Sequence, residues 1–102
     1  MTGYLQRRPH ALPARLDDLD GPTHGVVALP HRLGWTGRQQ YDVDDPADLA
    51  VLYERVLVEA LDPDDLGLLN AVLLRQVWAR LFLPIAIRQL WQVRFPELVA
   101  AA

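Results

Sequence analysis

The sequence contains no Cys, no Ser and no Lys. Those absences remove disulfides, thiolate metal sites, Ser and Cys nucleophiles, Schiff-base chemistry and the phosphate-gripping lysine of a P-loop. Positive charge rests on Arg alone: ten Arg face thirteen acids, for a net charge of −3. That balance gives no general attraction to nucleic acid or anionic lipid. The dominance of Arg over Lys and of Asp over Glu, beside many Ala, Leu, Val and Pro, is what a GC-rich coding sequence supplies. No long hydrophobic run is uninterrupted. The most apolar stretch, Leu66 to Leu83, carries Asn70, Arg75, Gln76 and Arg80, each costly in lipid, so it reads as a soluble helix that needs covering. Near the N-terminus, Arg7 and Arg8 are followed by Pro9, His10, Pro13 and Arg15, which interrupt the apolar core of an export signal. A cytoplasmic location is the expectation.

What is present suffices for one domain. Half of the 102 residues are hydrophobic, and a chain of this size buries about 65% of its extended surface on folding. Residues 1–25 contain Pro9, Pro13, Gly21 and Pro22, a basic front and an acidic run at Asp17, Asp18 and Asp20. They read as an extended or mobile arm, either a partner-binding tail or a loose terminus, although Leu12, Leu16 and Leu19 are spaced for a helical turn. A domain over residues 26–98 follows, with a frayed tail at 99–102. Val26, Val27 and Leu29 form a short extended run. Leu33, Trp35, Tyr41 and Val43 alternate about the Thr36-Gly37 turn dipeptide, which predicts a hairpin over residues 33–43.

Three helices are expected behind it. Asp45-Pro46 is a start signal, and Leu49, Leu52, Tyr53, Val56, Leu57 and Ala60 then follow helical spacing to define one core face. Val51 and Val58 fall on the other side, where a lone monomer gains nothing from them. Asp62-Pro63 repeats the signal and predicts a second helix to Leu81, apolar nearly all round. Leu66, Leu73, Leu74, Val77, Trp78 and Leu81 share one face; Leu68, Val72 and Ala79 lie on another. Asn70 projects within the first of these faces, where its amide either meets a polar group in the core or fixes the register of a partner helix. The third helix runs from Pro84 to Phe95 with Ile87, Leu90, Trp91 and Phe95 inward. The fold class is therefore mainly α, with three short helices packed on a small N-terminal β-hairpin.

Few residues combine into a catalytic pattern. Asp42, Asp44, Asp45 and Asp48 could share a hard cation, yet helix capping accounts for Asp45 and Asp48, and the Gly-Ser loop that holds phosphate in such sites has no Ser to build it. His10, His24 and His31 have no carboxylate at ligand spacing. Arg88, Gln89, Gln92 and Arg94 on the last helix allow an alternative reading, a small DNA-binding regulator using helices two and three, without the usual basic footprint. No catalytic residue, metal or cofactor is expected.

Leu29-Pro30, Trp35, Gly37, Tyr41-Asp42, Asp44-Asp45, Leu52-Tyr53-Glu54, Val56-Leu57, Glu59, Trp78, Leu83-Pro84, Arg88 and Trp91 form a pattern spanning residues 29–98. It resembles small actinobacterial proteins encoded beside an AbiEii-family nucleotidyltransferase toxin, with Ala60-Leu61 where such proteins carry Gly. The resemblance implies an antitoxin, a non-catalytic protein that binds and neutralises the nucleotidyltransferase in a toxin-antitoxin or phage-defence pair. It supplies no site residues. The candidate partner-binding residues come from the apolar strips and the arm: Val51, Val58, Leu68, Asn70, Val72 and Arg75, with Arg7 and Arg8. Self-association is a further use for such strips, and neither nucleic acid nor membrane is expected as a partner.

Overall fold

Two Asp-Pro steps decide where the helical half of the chain begins and where it breaks. In the computed structural model, which describes residues 11–34 and 37–100, the Asp45 carboxylate accepts the Asp48 N–H at 2.9 Å and Pro46 takes the first helical position. Helix α1 spans Pro46–Glu59. The face drawn from its periodicity is the buried one: Leu49, Leu52, Tyr53, Val56 and Leu57 are all in the core, with Ala60 just beyond the last turn.

The second step behaves differently. Asp62-Pro63, read above as the start of one helix to Leu81, opens only a single 3-10 turn, Pro63–Leu66. The chain passes Gly67 and restarts as α2, Ala71–Val77, followed by another 3-10 turn at Trp78–Arg80. Asn70 is the cause. Its backbone is extended (φ −122°, ψ 134°), and its side-chain oxygen accepts the N–H groups of Val72 at 3.0 Å and Leu73 at 3.3 Å. It is a helix cap placed inside an apolar pattern that periodicity alone reads as helix interior.

Helix α3, Ile85–Arg94, begins after Pro84 and turns Ile87 and Trp91 into the core, with Phe95 buried after its last turn. Leu90, expected inward, is 36% exposed. Past Pro96 the chain forms a fourth short helix, α4, Glu97–Ala100, instead of fraying at once. Leu98 anchors it, fully buried, a contact worth roughly 1.5–3 kcal/mol.

The hairpin exists in another register. β1, Val26–Ala28, pairs antiparallel with β2, Gln40–Asp42, setting Val26 opposite Asp42, Val27 opposite Tyr41 and Ala28 opposite Gln40. Leu33 belongs to no strand. It closes a 3-10 turn, His31–Leu33, whose Leu33 N–H donates to the Pro30 carbonyl at 2.9 Å and whose leucine enters the core. Pro30 has no N–H for a ladder, so the β1 strand ends before it; the expected turn residue Thr36, with Trp35, lies outside the described residues. Tyr41 in β2 and Val43 just beyond it hold the sheet on the core, which so small a sheet requires.

From residue 11 onward the expected separate arm is part of the fold. Ala11, Leu16 and Leu19 are buried in the same core. Residues 19–21 run antiparallel to residues 69–71: the Gly21 N–H donates to the Leu69 carbonyl at 2.7 Å, and the Ala71 N–H to the Leu19 carbonyl at 3.0 Å. The approach is close enough that a Cβ on Gly21 would come within 2.5 Å of the Leu68 backbone. Gly at that position permits the pairing. The described chain is thus mainly α, four helices and a two-stranded sheet around one core.

Candidate functional site

Acidic side chains are the most conspicuous polar feature of the sequence, and the fold uses them as local ties. Asp44 accepts the Gly25 N–H at 2.9 Å and His24 Nδ1 at 3.0 Å, and these bonds, the backbone one foremost, hold its carboxyl below the usual range. Gly25 adopts φ 87°, a left-handed conformation suited to Gly, as the chain turns into β1. Asp48 accepts from the Arg38 guanidinium and from the Asp42 N–H at 2.9 Å, and its carboxyl is likewise lowered, mainly by Arg38. Asp42 accepts the Asp44 N–H at 2.9 Å. Asp42, Asp45 and Asp48 thus shape the passage from β2 into α1, while Asp44 ties it back to the turn before β1. Among the described residues, no group of three or more His, Asp or Glu is placed to hold a metal ion.

Asp65 is the one buried carboxylate among the described residues. It accepts the Leu61 N–H at 3.0 Å, the Asp62 N–H at 3.4 Å and Arg32 Nε at 2.9 Å. The backbone bond to Leu61 leads in holding its carboxyl below 3.8, with Arg32 adding to it against the opposing effect of burial. One oxygen closes the turn into the Pro63–Leu66 segment and the other holds Arg32, so both are taken up in structural contacts.

The candidate binding residues separate into three sets. Val51 is 40% exposed and Val58 half-buried; with Glu54, Arg55 and Glu59 they line a shallow concavity on the outer side of α1. Val72, 56% exposed, faces outward on α2, and Leu68 is half-buried in the segment before it. These four retain an outward or rim position. Asn70 does not: its Nδ2 donates to the Gly21 carbonyl at 3.1 Å and its N–H to Tyr53 Oη at 2.8 Å, so its polar partners lie inside this chain. Of its two readings above, the structure realises the core one. Arg75 is also engaged internally, with Asp17 at 2.8 Å. Arg7 and Arg8 lie outside the described residues.

The basic residues of α3 are turned back on the chain. Arg88 donates to the carbonyls of Trp78, at 3.4 Å, and of Leu81, with its guanidinium 5.0 Å from the Trp78 ring centroid; Arg94 donates to the Ala14 carbonyl at 3.0 Å. They close gaps between segments where a phosphate-contacting face would present them outward.

Periodicity at the sequence level passed over the outer face of α3. Phe82, 88% exposed, Ile85, 74%, and Val93, 82%, are large apolar side chains that the core does not take. The signal was there in the i, i+4, i+8 spacing of Ile85, Gln89 and Val93, opposite Ile87 and Trp91. No described helix is long and apolar enough to cross a membrane, so these side chains are not part of a helical span. No family model, curated protein or solved structure matches this chain.

Proposed function

We propose that this chain is a small cytoplasmic, non-catalytic binding protein, the antitoxin of an AbiEii-type nucleotidyltransferase. One observation carries the binding part. The core is filled by buried side chains from the four helices, β2 and the N-terminal segment, yet Val51 and Val72 remain substantially exposed, with Val58 and Leu68 half-buried. A helix gains nothing from apolar side chains in water, whereas a partner that covers them does. The nucleotidyltransferase as the partner rests on the resemblance of residues 29–98. Engagement of the carboxylates in backbone and arginine contacts supports a protein that acts by covering a surface, most simply by occluding the toxin's active-site cleft.

The test is a pair of charge substitutions on the outer side of α1. Val51→Asp and Val58→Asp should leave the circular dichroism melt close to that of the parent, while a pull-down of the nucleotidyltransferase encoded by the neighbouring gene falls at least tenfold. If both variants fold and bind the toxin as the parent does, the α1 strip has no part in recognition. If both unfold, the strip belongs to the core.

A further inference from the structure

We propose that two copies of this chain pair antiparallel along the outer face of α3, crossing at Gln89. The face is apolar and carries no charge. Ile85, Gln89 and Val93 form its centre line, with Leu90 at its edge and Phe82 just before the helix. The two charged residues of α3, Arg88 and Arg94, are drawn to carbonyls of Trp78, Leu81 and Ala14. A solvated helix face ordinarily carries charge, and depletion of charge is the mark of an interface centre.

The order of residues selects a second copy as the occupant. A twofold interface brings residue i of one copy against residue j of the other and j against i. About Gln89 the stripe is apolar at matching distances in both directions. Ile85 stands four residues before it and Val93 four after; Phe82 stands seven before and Pro96 seven after. Four residues of helix are about 6 Å, so an antiparallel copy centred on Gln89 sets Ile85 against Val93 twice and Phe82 near Pro96 twice. At the centre, each Gln89 amide offers both a donor and an acceptor to its twin. Complete covering of Phe82, Ile85, Leu90 and Val93 would remove roughly 500 Å² per copy, about 1,000 Å² for the pair, the size of a weak, transient interface. A reversible dimer is the expected result.

The test uses the chain alone and so stands or fails apart from the antitoxin reading. Sedimentation velocity over rising concentration should show the mass moving from 11.5 kDa toward twice that value, and Val93→Asp should hold it at the monomer. Because the parent has no cysteine, Gln89→Cys adds a second readout. Under mild oxidation it should cross-link into a dimer, as the crossing point is where two Cα atoms come within disulfide reach, while Gln76→Cys on the exposed side of α2 should cross-link at least tenfold less. A monomer at every concentration overturns the proposal. So does a dimer indifferent to Val93→Asp, or equal cross-linking from the two cysteine positions.

Discussion

The hydroxyl of Tyr53, on the fully buried face of α1, accepts the backbone N–H of Asn70 at 2.8 Å, at the point where α2 begins. A single buried bond thus ties the cap of one helix to the face of another. Asn70 extends the tie through its side chain, which accepts from Val72 and Leu73 and donates to Gly21. Tyr53→Phe leaves the Asn70 N–H without its acceptor and should cost about 1–3 kcal/mol. Asn70→Ala removes both the cap and the bond to Gly21 and should cost about 2–3 kcal/mol. Urea titrations of the two variants and the double mutant measure this; strict additivity would mean the two residues do not act as one unit.

Alkaline pH reads the same tie. Burial pushes the Tyr53 phenol from 10.0 up to about 12. The unfolded chain releases that proton first, so the contribution is intact below pH 10 and is lost as pH rises toward 12, by roughly 2–3 kcal/mol. The stability of Tyr53→Phe should be flatter than that of the parent across this window. Parallel curves would contradict the burial of the phenol.

At the acid end, the Asp65 carboxyl is held below 3.8 by the Leu61 N–H and Arg32. Its contribution is complete above the unfolded value and disappears as pH falls through the lower folded one. Acid unfolding of Asp65→Asn should begin from a less stable protein at neutral pH but show a shallower decline below pH 4, followed by fluorescence of the Trp residues.

Gly21 carries a prediction about the N-terminal segment. A Cβ there would meet the Leu68 carbonyl carbon and oxygen at 2.5 Å and the Leu69 oxygen at 2.6 Å. Backbone on backbone cannot yield as a side chain tip can, so Gly21→Ala should destabilise by about 2–4 kcal/mol. Deletion of residues 1–25 should lower the melting temperature sharply, since it takes Ala11, Leu16 and Leu19 from the core. An unchanged melt for either would return residues 11–25 to the status of a tether.

The helix starts at Asp45-Pro46, the core face of α1 and the burial of Trp78 and Trp91 were legible in the sequence because each is a local rule acting on neighbouring residues. The break at Asn70 was not, since the amide reads equally as an interior polar residue until Tyr53 and Gly21, distant in sequence, come beside it. The hairpin register failed for a related reason. Thr36-Gly37 is a plausible turn, but Pro30 ends β1 early and Leu33 is worth more in the core than in a strand. For the candidate binding face, periodicity identified Val51 and Val72 by their angle on the helix, whereas it assigned Leu90 inward and left Ile85 and Val93 unweighed. An apolar residue on the wrong side of a helix is visible only once the right side has been fixed by packing.

Co-expression of the tagged chain with the product of the neighbouring gene, with growth and copurification followed together, tests whether this chain neutralises a nucleotidyltransferase. The neighbouring product, expressed alone, should arrest growth; this chain should relieve the arrest and elute with it in a stable complex that Val58→Asp disrupts. A toxin that stays active beside the folded chain and elutes without it would rule out neutralisation by binding.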